Sequence, residues 1–375
     1  AAAGGGVTFK TFGTSSLMVG DDTTGTISGA NYNVGLGIDI FTALTTGDDN
    51  VAVGFRALRA LTTGGSNISI GKDSLYSNTT GSNNIAIGVS ALQNNTTAGS
   101  NAAVGRLALY SNTTGASNTA FGGNTLQANT TASNNTAVGA SALTANTTGA
   151  SNVCLGVSAG YNLTTGGSNC YMGDKAGRYV ITGNNNTCIG HLSYGYASGN
   201  GSHGGCTVIG ANNTISTNGD LAVGLGYAIA CEPGYTTLGA IGDDIRAAHG
   251  SVTWATISDE RVKKDIADST AGLSFINDLR PRTFNFKAKG EVPEEFNGYE
   301  EGSTETYKSS KTQHGFIAQE VKAVIDNHSE ITDGFSLWDV REDTGQQEVA
   351  EAALIPMLVK AIQELSAEVE KLKGE

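Results

Sequence analysis

The chain has 375 residues, which is enough for two or three domains, and a formal net charge of −13 at pH 7. This acidity argues against nucleic acid or an anionic membrane surface as a partner, because both require basic patches. No apolar run reaches the ~18 residues needed to span a bilayer, and no signal peptide is visible. We therefore predict neither nucleic-acid binding nor membrane insertion.

Charge is unevenly distributed along the chain. Residues 51–200 contain only eight charged side chains, so this region is either disordered low-complexity sequence or an ordered repeat. The five cysteines form no CxxC pair and their number is odd, which argues against a zinc site or a disulfide framework. We interpret them as small apolar fillers and predict no metal and no cofactor.

A glycine preceded by an apolar residue recurs every 17 residues, ten times in succession, and this periodicity favours the ordered repeat. The glycines are Gly20, Gly37, Gly54, Gly71, Gly88, Gly105, Gly122, Gly139, Gly156, Gly173 and Gly190. A Leu follows many of them by four residues, and a polar turn such as Thr79-Thr80-Gly81 closes each coil. After an N-terminal segment (residues 1–16), residues 17–190 are therefore predicted to be a parallel β-solenoid shaft, mainly β in class.

Each coil contains one short strand, for example Val51-Ala52-Val53. Since residues i and i+2 of a strand share a face, the two larger apolar residues are predicted to form the core of the coil. The small middle residue would then face outward and allow close approach of a neighbouring chain. An Asn precedes each strand, as Asn67 does, and stacked Asn side chains are predicted to form a hydrogen-bonded ladder.

The repeat resembles the head repeats of trimeric autotransporter adhesins and the N-T-A-V-G-x-x-A-L repeats of phage fibre shafts. The resemblance covers roughly residues 17–190 and implies a rod-like, trimeric, surface-exposed shaft. The coils are longer than those of most adhesin heads. The many Asn-Thr-Thr sequences match glycosylation sequons, but we interpret them as turns.

Residues 191–257 lose the strict period and gain aromatic residues. Two interpretations stay open: a cap that covers the last coil, or a receptor-binding tip, since aromatic rings stack on sugars and bury well at interfaces. The candidate receptor contacts are Tyr194, Tyr196, Tyr227 and Tyr235.

Residues 258–375 are predicted to form a separate α+β domain. Residues 280–286 look like a turn entering a strand, and residues 314–321 look like a strand running into a helix. A long terminal helix carries Ile355, Ile362 and Val369 at a positions and Leu358, Leu365 and Leu372 at d positions. This pattern predicts a coiled coil, or a helix packed on its own domain; in simple coils it leans towards two strands, although so few heptads do not decide the number.

The segment Ser258-Asp259-Glu260-Arg261-Val262-Lys263 lies where the composition changes. A Ser five residues before a Lys is a weak pattern, and it fits either a helix N-cap or a self-cleavage site. Three further motifs follow in order: Phe-x-Phe at 284–286, Gly-Phe-Ile-Ala-Gln-Glu-Val at 315–321 and Ala-Ile-Gln-Glu-Leu at 361–365.

Together these motifs resemble the self-cleaving intramolecular chaperone domain at the C-terminus of phage tailspikes, endosialidases and tail fibres; a related domain occurs in the myelin regulatory factors. The resemblance implies that Ser258 is the nucleophile, that Lys263 rather than Lys264 is the base, and that the chain is cut between Ile257 and Ser258. Asp259, Arg261, Gln319 and Glu320 are supporting motif residues. A lysine serves as base only when neutral, and burial in an assembled trimer favours that form.

The resemblance thus implies a homotrimeric phage tail fibre that binds a host receptor, and the aromatic residues of the tip indicate that this receptor is a glycan. Its C-terminal domain would drive trimeric folding and then act once as a serine/lysine autoprotease. The fibre would join other tail proteins in the virion, and the chaperone domain would be released in the host cytoplasm. The alternatives are a polysaccharide-degrading tailspike, for which Asp243 and Asp244 are the one close acidic pair near the tip, and a bacterial trimeric surface adhesin.

Overall fold

The computed structural model describes residues 8–12, 15–20, 29–194, 202–215, 220–241, 244–250, 255–256, 260–296, 298–329, 331, 337–341 and 344–374. The chain divides into two compact units, Ala1–Ser258 and Asp259–Glu375. The first unit is built almost entirely of short strands, and the second mixes helices with two small sheets.

Nineteen strands are described in the first unit, and seventeen of them form one continuous sheet. In chain order they are β1 Thr8–Phe12, β2 Ser16–Gly20, β3 Val34–Gly37, β4 Val51–Val53, β5 Ile68–Ile70, β6 Ile85–Ile87, β7 Ala102–Val104, β8 Thr119–Phe121, β9 Thr136–Val138, β10 Val153–Leu155, β11 Cys170–Met172, β12 Thr187–Ile189, β13 Thr207–Ala211, β14 Thr214–Ile215, β15 Val223–Tyr227, β16 Ala230–Cys231, β17 Tyr235–Ala240, β18 Ile245–Ala248 and β19 Ala255–Thr256. The remaining two, β14 and β16, pair with each other.

The sheet confirms the predicted parallel β-solenoid. From β2 to β12 each strand pairs in parallel with the strand of the next coil, and each residue pairs with the residue 17 positions later, as Val51 does with Ile68. Beyond β12 the parallel order continues through β13, β15 and β17 with irregular offsets. Antiparallel strands stand at both ends, β1 on β2 and β18 and β19 after β17, so the ends differ from the regular coils.

The prediction of which strand face is buried was wrong. The small middle residue is the buried one: Ala52, Ala86 and Ala103 are inaccessible to solvent, whereas Ile68 and Ile70 on either side of Ser69 are 38 % and 39 % exposed. The interior of a coil also holds the Leu that follows the glycine by four residues, for example Leu58. Because this Leu fills the narrow interior, only a small strand side chain fits opposite it, and the larger aliphatic residues point outward.

Volume compensation within the coil supports this explanation. Where the strand carries Gly35, the Leu position four residues after Gly37 holds the larger Phe41, and a Cβ at Gly35 would lie 3.2 Å from that ring. Where the strand carries Tyr171, the Leu position is reduced to Gly160 and Gly177 in adjacent coils. The position four residues after each strand glycine, which we call the Leu column, thus becomes larger where the middle strand residue is small and smaller where it is large. The combined volume of the two side chains stays roughly constant, as close packing requires.

The predicted Asn ladder is present. Asn118 donates from its backbone N–H and from Nδ2 to Oδ1 of Asn101, and its own Oδ1 accepts the same pair of bonds from Asn135. The Nδ2 group also donates to the Ala132 carbonyl. The pattern repeats from Asn33 to Asn186, and these side chains are buried. The ladder satisfies backbone groups that would otherwise be buried without a partner.

The Asn-Thr-Thr sequences lie in turns, as predicted. Their Asn side chains form a second buried ladder in which, for example, Asn112 Nδ2 donates to Asn95 Oδ1 and to the Gly115 carbonyl. Four of the five cysteines are apolar fillers as predicted: Cys154, Cys188, Cys206 and Cys231 are buried and free, and burial raises the pKa of each thiol, whereas Cys170 is half-buried at the start of β11.

The second unit contains the elements that its motifs predicted. They are α1 Leu273–Asp278, β20 Arg282–Phe284, β21 Gln313–Gly315, α2 Ala318–Asn327, β22 Trp338–Val340, β23 Gln347–Val349 and α3 Ile355–Gly374, with short 3₁₀ turns at Glu260–Val262, Lys289–Glu291 and Glu351–Leu354. A small core joins Phe275 of α1, Val321 of α2 and Met357 of α3 to Leu337 and Leu354. Among the described helices of the chain, none is long and apolar enough to cross a membrane.

Helix α3 uses one face for its own domain and leaves its heptad face exposed. Met357 and Ala361 are buried, and Glu364 accepts a hydrogen bond of 2.7 Å from the Leu273 N–H at the start of α1. The exposed apolar residues are the six predicted a and d residues, Ile355, Leu358, Ile362, Leu365, Val369 and Leu372, with Val359. The helix therefore packs on its own domain and leaves an apolar stripe exposed.

Candidate functional site

The predicted scissile bond lies outside the described residues, since Ile257, Ser258 and Asp259 belong to the part of the chain that is left undescribed. Immediately after them, Glu260–Val262 form a 3₁₀ turn, and the Lys263 N–H donates to the Glu260 carbonyl at 3.0 Å. Such a turn keeps the two Cα atoms within about 7 Å. The turn therefore keeps the backbone of Lys263 close to Glu260. Glu260 itself is two residues after Ser258 in the sequence.

Both basic residues of the motif are at the surface of this single chain. Arg261 and Lys263 are exposed, and so is the neighbouring Lys264. A lysine amine acts as a base only in its neutral form, and burial favours that form. The motif thus lacks, within one copy of the chain, the burial that the predicted chemistry needs.

Glu320 has a defined structural role. It stands at the start of α2 and accepts two hydrogen bonds from Arg282 of β20, from Nε at 2.8 Å and from Nη2 at 2.6 Å. The hydrogen bond to Glu320 raises the pKa of Arg282, and the bond from Arg282 lowers the pKa of Glu320. The bidentate pair ties the β20–β21 hairpin to α2. Gln319, beside Glu320, is exposed.

Sequence reasoning missed Arg282 as the partner of Glu320. The available signal was its position at the start of the predicted strand that carries the Phe-x-Phe motif, opposite the strand that leads into α2. Phe284 and Phe286 of that motif pack edge to face, with ring centroids 5.5 Å apart. The motif residues that the structure brings together therefore build a scaffold of the β20–β21 hairpin and α2 within the second unit.

An apolar cavity of about 330 Å³ lies next to this scaffold in the second unit. It is lined by Ile276, Leu279, Pro281, Phe316, Glu351, Leu354 and Leu358. Leu358 is also a d residue of the exposed stripe on α3, so the cavity and the stripe form one apolar surface.

The outward-facing strand residues of the first unit form a second apolar surface, the outer strand row. Its members that are more than a third exposed are Leu17, Val34, Leu36, Ile68, Ile70, Ile85, Ile87, Phe121, Val138, Val153, Met172, Ile209 and Leu225. None of these thirteen residues is charged, and they lie on ten strands of the one large sheet, between β2 and β15. Exposed apolar side chains grouped in this way are typical of an interaction surface.

The four tyrosines predicted to contact a receptor have different positions. Tyr227 of β15 is 54 % exposed, and Tyr235 of β17 is half-buried. Tyr196 lies outside the described residues. The prediction for Tyr194 was wrong: its side chain is fully buried, because it stands four residues after Gly190 and occupies the interior position that Leu fills in earlier coils.

Of the predicted acidic pair, Asp243 lies outside the described residues, and Asp244 is half-buried. No cluster of three or more His, Cys, Asp or Glu side chains suited to a metal ion occurs among the residues that the structure describes.

Residues 258–330 match the protein family Peptidase_S74, described as chaperone of endosialidase. The match begins at Ser258 and includes the Lys263 motif, the Phe-x-Phe motif and Glu320, and it ends before α3. It confirms the resemblance drawn from those motifs. No curated protein and no solved structure matches the chain.

Proposed function

Because the chain carries a chaperone-of-endosialidase domain behind a β-solenoid shaft, we propose that it is a homotrimeric phage tail fibre whose C-terminal domain aligns three copies and then cuts itself off. The observation that carries the proposal is the place where the family match begins. It begins at Ser258, where the two compact units of the chain meet. A cut at that point separates the shaft from the chaperone domain and leaves both intact.

The proposed cut uses Ser258 and Lys263. The hydroxyl of Ser258 attacks the carbonyl carbon of Ile257, Lys263 accepts the hydroxyl proton, and the peptide nitrogen leaves with a proton to give an ester. Water then hydrolyses the ester, which frees the carboxylate of Ile257. Since Lys263 is exposed in a single copy, the reaction awaits a burial that assembly supplies. Cleavage is thereby coupled to completion of the trimer.

Two surfaces support assembly with further copies. The thirteen side chains of the outer strand row are each about 40 % exposed. Apolar side chains exposed together on one surface are typical of an interaction site. The exposed heptad stripe of α3 is a second such surface, in the chaperone domain. Three copies are proposed on the family resemblance.

The way a parallel solenoid folds also favours a C-terminal domain that holds three copies in register, a clamp, and is then removed. A parallel solenoid presents open strand edges at its ends, and three such shafts must start in the same register. A C-terminal domain that trimerises first sets that register. After the cut, the shaft is kinetically trapped, because the clamp that guided its formation is gone. In this proposal the fibre belongs to the virion, and the released domain stays in the host cytoplasm.

The test is denaturing electrophoresis of the full chain beside three variants. We expect the wild type to give fragments 1–257 and 258–375, and Ser258→Ala and Lys263→Ala to give one uncut chain. Lys264→Ala is the matched control, since Lys264 is equally exposed and adjacent, and it should be cut like the wild type.

Identical band patterns for wild type and Ser258→Ala would remove the self-cleavage claim. If the Lys263→Ala chain is cut and the Lys264→Ala chain is not, the base is Lys264 and not Lys263. Sedimentation equilibrium of each uncut variant reports the number of copies independently, and a mass of one or two chains would contradict the trimer.

A further inference from the structure

The last strand of the first unit ends one residue before the proposed cut. This strand, β19, ends at Thr256, and the carbonyl that Ser258 attacks in the proposed reaction belongs to the next residue, Ile257. Because consecutive Cα atoms are about 3.8 Å apart, the position of Thr256 limits where that carbonyl can lie. Contacts that hold β19 in place therefore also help to position the scissile bond.

Strand β19 is tied to the large sheet through β18. The two strands pair antiparallel, with Thr256 opposite Ile245 and Ala255 opposite Arg246. In turn, β18 pairs antiparallel with β17, where Arg246 lies opposite Thr237. The position of β19 thus depends on how firmly β18 is held against β17 and the turn that precedes it.

Arg246 of β18 makes two side-chain contacts with the turn that leads into β17. Its Nη1 atom lies 2.7 Å from Oε1 of Glu232, and its guanidinium carbon lies 5.4 Å from the centroid of the Tyr235 ring. An ion pair and a cation–π contact from one side chain fix that side chain at two points. The Arg246 and Glu232 side chains are 45 % and 43 % exposed, so their pair adds little to the stability of the shaft.

The turn that Arg246 contacts has a defined shape. It runs from Glu232 to Tyr235 and is closed by a 3.2 Å hydrogen bond from the Tyr235 N–H to the Glu232 carbonyl. Proline at its second position and Gly234 at its third, with φ +71°, suit a type II turn. The His249 N–H, just after β18, donates to the Gly234 carbonyl at 2.7 Å. Strand β18 is thus held on this turn by a backbone bond after its last residue and by the Arg246 side chain near its first.

We propose that Arg246 is a positioning residue for the self-cleavage. By holding β18 on the Glu232–Tyr235 turn, it holds β19, and with it the Ile257 carbonyl, where the Ser258 hydroxyl can attack. A displacement of about 1 Å at reacting atoms can slow a reaction about 100-fold, so a contact that matters little for stability matters for the rate. The inference rests on the proposed self-cleavage, and it makes the rate of the cut depend on the folded end of the shaft as well as on assembly.

The test is pulse-labelled cell-free synthesis of the full chain, in which denaturing electrophoresis follows the cut and native electrophoresis of the same samples follows assembly. The quantity measured is the rate of the cut per assembled chain. We expect Arg246→Gln to slow it roughly 3- to 10-fold, the effect of losing one exposed ion pair and one cation–π contact. Glu232→Gln should slow it less, and the two changes together should be no slower than Arg246→Gln, since both act through one contact. Arg246→Lys keeps the charge and should be cut faster than Arg246→Gln.

The matched control is Arg341→Gln. Arg341 Nε lies 2.6 Å from Oε1 of Glu348 in the second unit, and both side chains are about half exposed, as in the Arg246 pair. The variant removes the same charge and the same kind of ion pair outside β18 and β19, and it should be cut at the wild-type rate. Thermal unfolding of each variant, combined with Ser258→Ala to keep the chain uncut, separates an effect on the cut from a loss of stability.

Three results would overturn the inference: a wild-type rate for Arg246→Gln, an equal slowing by Arg341→Gln, or a slowing that is matched by a loss of thermal stability. If Arg246→Gln does not assemble, Glu232→Gln decides in its place, and a wild-type rate for that variant overturns the inference. A wild-type chain that is never cut would refute the proposed self-cleavage and this inference with it. A wild-type chain that is cut no faster than Arg246→Gln refutes the inference alone.

Discussion

The buried Asn ladder gives the sharpest test of what stabilises the shaft. Asn118 lies in its middle, and its side chain and backbone N–H take part in five hydrogen bonds: two to Asn101, two from Asn135 and one to the Ala132 carbonyl. Asn118→Ala removes the side-chain oxygen that accepts from the Asn135 backbone N–H, and it leaves Oδ1 of Asn101 without its Nδ2 donor.

A buried polar group left without a partner costs ~1–3 kcal/mol, and the change creates one such group, the backbone N–H of Asn135, because Oδ1 of Asn101 keeps the backbone N–H of residue 118. We therefore expect Asn118→Ala to lower the free energy of unfolding by about 1–3 kcal/mol. The remaining donors of the neighbouring coils keep other partners, for example Asn135 Nδ2 on the Gly149 carbonyl, so the damage stays local.

The measurement is guanidinium-induced unfolding of the full chain, monitored by circular dichroism. If refolding is incomplete, the unfolding rate at a fixed denaturant concentration is compared instead. Thr114→Ala is the control, since Thr114 is exposed in a turn of the same region. Its effect should stay within ~0.5 kcal/mol. If both variants unfold alike, the amide ladder contributes nothing net, and stacking of the Leu column must account for the stability of the shaft.

Two further predictions concern packing and pH. Gly177→Ala should destabilise the shaft by about 2–4 kcal/mol, because Gly177 has φ +60° and a Cβ would lie 2.6 Å from the Tyr171 ring; Gly123→Ala, where the nearest atom is 3.9 Å away, is its control in thermal unfolding, and equal effects would contradict the argument. The lowered pKa of Glu320 means that its pair with Arg282 stabilises the second unit above the unfolded pKa of a glutamate, and that this stability is lost as pH falls through the lowered folded value. Glu320→Gln should remove that part of the acid sensitivity, and an unchanged pH profile of unfolding would show that the pair contributes none.

The period of the shaft was predictable because its glycines repeat without error, and the parallel register follows from that period alone. Which face of each strand is buried could not be predicted in the same way. In a strand such as Val51-Ala52-Val53 both faces are apolar, so alternation does not tell inside from outside. The width of the coil decides, and it is set by the Leu column on the opposite wall, a tertiary property.

The Leu column also gives a signal that was present in the sequence, the burial of Tyr194. Tyr194 stands in the register of Leu58 and Leu143, four residues after a strand glycine, and its burial was readable from that register. Its aromatic character led to the opposite interpretation. For the chaperone domain, the order of motifs located β20, β21, α2 and α3, but the Arg282–Glu320 pair depends on the pairing of two strands distant in sequence.

Because the offset between paired strands is a constant 17 residues, the number of coils sets the length of the shaft. Each coil advances the axis by the spacing of neighbouring strands, about 4.8 Å, so the ten intervals between Gly20 and Gly190 span about 48 Å. Because interior contacts run only between adjacent coils, gain or loss of one whole coil leaves every other interface in register. The length of the shaft can thus change in steps of 17 residues, independently of the two ends.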